Sequence, residues 1–118
     1  PANASLWKML MSNAYLIGIS SDVIAFSDNI AGAFKPFISA SNISTFGAST
    51  GCFAKWASTS YGRLVLHGAE ISGYTGYGIQ SASANAIGRL HGVGMGTTSR
   101  VDPAASGDFQ DIGGWLSA

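Results

Sequence analysis

A chain of 118 residues with 47% hydrophobic side chains is long enough to form one domain around its own core. Six basic and six acidic side chains cancel, which leaves no electrostatic footprint for a phosphate backbone or an anionic lipid surface and argues against nucleic acid as a partner. Charged residues are only 10% of the chain, against roughly 25% in ordinary soluble domains. Ala, Ser and Gly (17, 17 and 16 residues) fill 50 positions, so the surface is neutral and long helices are disfavoured.

The chain opens on a segment, 1–14, read as a lead-in. Within it Leu6, Met9 and Leu10 share one face of a short helix over Ser5 to Asn13, capped by Ser5 or Asn3. The run Leu6 to Met11 lacks the basic lead and the length of a signal peptide, and no run reaches the ~18 apolar residues of a membrane span, so no membrane insertion is expected. A start on Pro1, with repeats soon after, reads as the C-terminal fragment of something longer.

From Tyr15 to Thr98 apolar residues come in short bursts, among them Tyr15-Leu16-Ile17, Val23-Ile24-Ala25-Phe26, Phe37-Ile38 and Leu64-Val65-Leu66. Clusters such as Ser20-Ser21-Asp22 and Ser27-Asp28-Asn29 separate them, which is the punctuation of strands and turns. Superimposed on this is a repeat: Thr50-Gly51 returns as Thr75-Gly76, and Gly62-Arg63-Leu64 returns as Gly88-Arg89-Leu90 with one position inserted. A fixed period of this kind, here roughly 25 residues, is the mark of units that bury their apolar faces by stacking on one another. The expected layers run from Tyr15 to Pro36, Phe37 to Tyr61, Gly62 to Ile87, and Gly88 onward, with Ile43, Phe53, Leu64, Ile71, Ile79 and Leu90 pointing inward. After Thr97 the pattern lapses at a turn marked by Asp102-Pro103. The tail, 99–118, carries Phe109, Ile112, Trp115 and Leu116 on a glycine-rich frame and reads as a cap or an intersubunit strand. An all-β chain is expected, a solenoid of parallel strands, with a jelly-roll β-sandwich as the alternative. The open ends of so short a stack, and its neutral faces, call for cover by partner copies.

The turns from Asn42-Ile43-Ser44 to Gly51 and from Glu70-Ile71-Ser72-Gly73 to Gly78, in repeating coils rich in Ser, Gly and Asn, resemble those of the right-handed parallel β-helices of bacteriophage tailspikes and their pectate-lyase-like relatives. The resemblance spans Tyr15 to Thr98. It implies a homotrimer on the virion tail, outside the cell, that recognises and often cleaves a bacterial surface polysaccharide. No catalytic motif of that family maps onto this sequence residue by residue.

Glycan hydrolysis uses two carboxyl groups ~5 to 10 Å apart. The acidic residues are Asp22, Asp28, Glu70, Asp102, Asp108 and Asp111, and of these Glu70, Asp22 and Asp28 are the weak catalytic candidates. Glu70 lies inside the repeat, but its repeat partner is Asn42, so a pair within one chain is not expected and a site shared between subunits is the remaining route. A turn or cap carboxylate is the commoner role for each. Lyase chemistry needs a base beside a cation. Arg63-x-x-x-His67 and Arg89-x-His91 offer both types, but their spacings differ, and paired arginines on strand edges more often serve to block edge association. Two histidines without a third ligand, and Cys52 as the only cysteine, lead to no expected metal, cofactor or disulfide. Gly92-x-Gly94-x-Gly96 lacks dinucleotide-site spacing. Carbohydrate binding asks for less, namely aromatic platforms beside short polar side chains. Trp56, Tyr61, Tyr74 and Tyr77, with Asn85 nearby, are the candidates, each weighed against a role in the core or at a trimer contact.

Overall fold

The computed structural model describes residues 8–19, 22–26, 36–49, 52–74, 77–95, 99–113 and 115–116. Among them there is no helix. Twelve strands follow one another: β1 (Lys8–Ile19), β2 (Ile24–Phe26), β3 (Phe37–Ser49), β4 (Ala54–Trp56), β5 (Gly62–His67), β6 (Glu70–Tyr74), β7 (Tyr77–Ser81), β8 (Ala86–His91), β9 (Gly94–Met95), β10 (Ser99–Val101), β11 (Asp108–Ile112) and β12 (Trp115–Leu116). The helix expected over Ser5 to Asn13 is instead the start of β1 from Lys8 on. Met9 and Met11 pack half-buried against the core while Leu10 between them is 70% exposed, an alternation of two rather than a helical face.

Every described pairing is parallel, which rules out the antiparallel jelly-roll alternative. The larger sheet runs β11-β8-β5-β3-β6-β9-β12 with β1 also on β3, and the smaller runs β10-β7-β4-β2. Paired strands stand two or three apart in chain order and are never consecutive. The step is shorter near the C-terminal end, where Ile87 stands opposite Asp108, and longer near the start, where Ile24 stands opposite Ala54. Strands β3, β5 and β8 begin at Phe37, Gly62 and Ala86, at or just before the layer boundaries expected from the repeat. The pairing does not stop at Thr97: β10 lies on β7 and β11 on β8, so the tail adds a further layer to both sheets.

Between β5 and β8 the register departs from the one that the Gly-Arg-Leu repeat suggests. Leu66 faces Leu90 and Leu64 faces Gly88, whereas the repeat would set Leu64 against Leu90. Side chains alternate with a period of two, and the slip is also two positions, so the same residues stay inside. Ile43, Phe53, Leu64, Ile71, Ile79 and Leu90 are all buried to 1% exposure or less. Each such side chain contributes about 1.5–3 kcal/mol relative to exposure. Arg63, Val65 and His67 on β5, and Ile87, Arg89 and His91 on β8, point the other way.

The larger sheet bends along one column. Asn13, Asn42, Gly68, Gly92 and Gly113 all have left-handed φ (53°, 52°, 62°, 61° and 68°), and strand registers set them side by side in successive layers. Glycine takes this conformation freely and asparagine tolerates it. Asn42 Nδ2 donates to Asn13 Oδ1 at 2.6 Å, tying the two asparagine layers together.

Inside, Phe26 stacks on Trp56 with centroids 4.6 Å apart, and the Phe109 ring meets Trp56 edge-on at 5.4 Å. The opposing strands make room by having no side chain there. A Cβ on Gly62 would stand 2.2 Å from Phe26 Cδ1, and one on Gly88 2.5 Å from Phe109 Cδ1.

Candidate functional site

Outward residues of neighbouring parallel strands form rows across the layers. One row is Phe37, Arg63, Ile87 and Asp108, from β3, β5, β8 and β11. At its end, the turns leading into β5 and β8 rise beside the sheet. They stack because their polar groups are interlocked. Ser60 donates from its backbone N–H (3.1 Å) and its hydroxyl (2.6 Å) to the Ala57 carbonyl, and the buried Ser83 hydroxyl donates to the Ser60 carbonyl at 2.6 Å. Asn85 N–H donates to Ser83 Oγ at 3.1 Å, and Asn85 Nδ2 reaches the Thr59 carbonyl at 3.4 Å. These bonds hold Tyr61 and Asn85 at the ends of two rigid turns rather than on free loops.

Row and turns together enclose a groove of about 500 Å³ lined by Phe37, Tyr61, Gly62, Arg63, Ala84, Asn85 and Ile87. Its floor is largely apolar, with two aromatic rings, and its polar groups are one phenol, one amide and one guanidinium. The Arg63 guanidinium lies over the Phe37 ring, 5.3 Å from its centroid, and no carboxylate among the described residues pairs with it. Arg89 is differently placed: Nη2 pairs with Asp108 Oδ2 at 2.7 Å and Nη1 donates to the Asp108 carbonyl at 3.0 Å, so it fastens the β11 layer to β8. Such an array offers ring faces for sugar C–H groups and fixed donors for hydroxyls or an anionic substituent.

Of the residues expected to bind carbohydrate, the structure brings Tyr61 and Asn85 together in this groove and adds Phe37, Arg63 and Ile87, which the sequence did not mark for binding. Their shared outward row shows only once the pairing of β5 with β8 is known. Trp56 is not a platform. It is 1% exposed, Phe26 covers one face, and its Nε1–H donates to the Gly62 carbonyl at 3.1 Å, so the expectation that its ring meets a ligand is corrected to a core role. Tyr77 starts β7 in the smaller sheet, half-buried and opposite Ser99, and does not line the groove. Tyr74 ends β6, but its side chain lies outside the described residues.

The carboxylate candidates stay apart. Glu70 is exposed on β6 beside Ser44 and Gly94; the repeat partner expected for it, Asn42, is in fact opposite Gly68. Asp22 accepts hydrogen bonds from Cys52 N–H at 2.9 Å and from Cys52 Sγ at 3.4 Å, acting as a clasp between neighbouring layers. Asp28 lies outside the described residues. Burial, together with the Asp22 charge and hydrogen bond, pushes the Cys52 thiol up to about 12, so it stays protonated. Among the described residues no group of three His, Cys, Asp or Glu side chains gathers as a metal set.

The chain matches no family model, no curated protein and no solved structure.

Proposed function

We propose that the chain winds as a right-handed parallel β-helix of the tailspike kind, and that it is the C-terminal part of a trimeric virion-tail spike that attaches to a bacterial surface polysaccharide. Uniformly parallel pairing, with paired strands two or three apart in chain order, supports the winding. Cover by sister copies suits a surface on which Leu10 and Tyr15 are 70% exposed and Ile112 57%, with only 10% charged residues in the chain. The groove carries the attachment reading: the Phe37 and Tyr61 rings, the Arg63 guanidinium and the Asn85 amide line one hollow on a rigid sheet. Binding is what these groups do unaided. The alternative, a depolymerase acting as hydrolase or lyase, draws its pair of carboxyls or its base from outside this groove, at a junction of subunits.

Binding to immobilised capsular and O-antigen polysaccharides tests the reading. Tyr61→Ala and Arg63→Ala each weaken binding by about tenfold or more, the loss for truncating a central contact. Lys55→Ala, on the outer side of the smaller sheet, leaves binding unchanged. Bound polymer that keeps its length identifies attachment, whereas release of oligosaccharides identifies the depolymerase. No binding to any bacterial polysaccharide, or binding indifferent to both groove variants, removes the proposal.

A further inference from the structure

A second outward row of the larger sheet reads Ser41, His67, His91 and Ile112. Aligned on the Gly-Arg-Leu repeat, the two histidines fall out of step. In the register that sets Leu66 opposite Leu90 they are direct neighbours on β5 and β8. Their rings stack with centroids 4.8 Å apart and planes 8° from parallel. His67 is exposed and His91 half-buried, and both ride on paired strands, so little ordering remains to be done when a ligand arrives. The strands continue into the left-handed corner, where Gly68 N–H donates to the His91 carbonyl at 2.9 Å and fixes the two backbones at the histidines themselves.

We propose that His67 and His91 form an open chelate for a divalent transition metal, with the two imidazoles as protein ligands and water in the remaining positions. Imidazole nitrogens bind such ions at about 2.0–2.1 Å, so two in adjacent coordination positions stand about 3 Å apart. Stacked rings 4.8 Å apart reach that separation by tipping their nitrogen edges toward each other, with no backbone movement. The nearest charges in the neighbouring row do not oppose a cation strongly, because Arg89 is paired with Asp108. Ser41 stands beside His67 in the same row and offers a hydroxyl, while Ile112 flanks His91 on the other side. Two ligands do not make a closed structural zinc site. They make an exchangeable one, with affinity rising in the order Zn²⁺ and Ni²⁺ below Cu²⁺.

The test is titration of the full chain with Cu²⁺ against glycine as a competing chelator, read by calorimetry and by electron paramagnetic resonance. One ion per chain, with hyperfine splitting from two imidazole nitrogens, is the expected result. His67→Gln and His91→Gln each reduce the spectrum to one nitrogen and weaken binding by about 100-fold, the loss of an intramolecular second contact. Both positions face outward, and a thermal melt confirms that the variants fold. Cu²⁺ also raises the melting temperature of the parent and not of either variant. Unchanged affinity in both variants, or a spectrum without paired nitrogens in the parent, overturns the proposal and leaves an adventitious ion only.

Discussion

Replacing Gly68 by asparagine should stabilise the protein, although it fills a backbone position that most residues resist. Gly68 stands next to Asn42 in the corner column, has φ of 62°, and a Cβ placed on it meets nothing within 4 Å. Adjacent parallel strands lie ~4.8 Å apart. An amide at position 68 can therefore donate to Asn42 as Asn42 already donates to Asn13 at 2.6 Å. Removing the freedom of glycine in the unfolded chain contributes about 0.4–1 kcal/mol. One more exposed amide hydrogen bond adds about 0.5–1 kcal/mol. Against these stands the left-handed backbone, roughly 1–2 kcal/mol for an ordinary L residue and less for asparagine. The balance is a gain of about 0.5–1 kcal/mol for Gly68→Asn and a loss of about 1 kcal/mol for Gly68→Ala, which has the strain without the hydrogen bond. For a domain of this size each kcal/mol moves the melting temperature by about 4 °C. Urea and thermal unfolding of both variants measure this, repeated in an Asn42→Gly background that keeps the backbone free but removes the neighbour. An asparagine variant as weak as the alanine one refutes the reasoning, as does an equal gain with and without Asn42.

Gly62→Ala drives a Cβ to 2.2 Å from a ring buried against Trp56, so it should cost at least the roughly 1–3 kcal/mol typical of overpacking, whereas Gly88→Ala meets the half-buried Phe109, which can swing outward, and should cost less; denaturant midpoints rank the two. Ile71→Asp puts an unpaired carboxylate at a position of zero exposure, and loss of a cooperative melt is the expected result, normal melting the contrary one. Cys52 should resist thiol reagents in the folded state and react on unfolding. Its folded value of about 12 lies above the ordinary 9.0, so the folded state holds the proton more tightly. That contribution is complete below pH 9 and falls as pH rises from 9 toward 12; urea midpoints at pH 8 and pH 10.5 in the parent and in Cys52→Ala show whether the loss belongs to this thiol.

The inward residues were legible because alternation is local. On β5, Leu64 and Leu66 are separated by Val65, and the choice of face needs nothing from elsewhere in the chain. Layer starts were legible too, since Phe37 and Gly62 follow turn residues. The register was not. The Gly-Arg-Leu tripeptides match as letters, but the step from one strand to the next is not constant along the chain, and hydrogen bonding aligns Leu66 with Leu90 instead. That slip hid both the groove row and the histidine pair. The spacing of Leu6, Met9 and Leu10 suggested a helix because a short stretch of alternating strand can imitate a helical face. The choice between platform and core for Trp56 is not legible locally, because its burial depends on Phe26, on the neighbouring strand, and on the bare backbone of Gly62.

The groove, the corner column and the histidine pair all rest on β5 and β8 lying parallel with Gly62 opposite Ala86 and His67 opposite His91. Nuclear Overhauser contacts in a labelled sample test this directly. Parallel pairing in this register gives cross-peaks between the His67 and His91 rings and between the Leu66 and Leu90 methyl groups, in a parallel-strand pattern. Contacts of His67 with Val93 and of Leu64 with Leu90, or close Hα–Hα pairs of the antiparallel kind, contradict it.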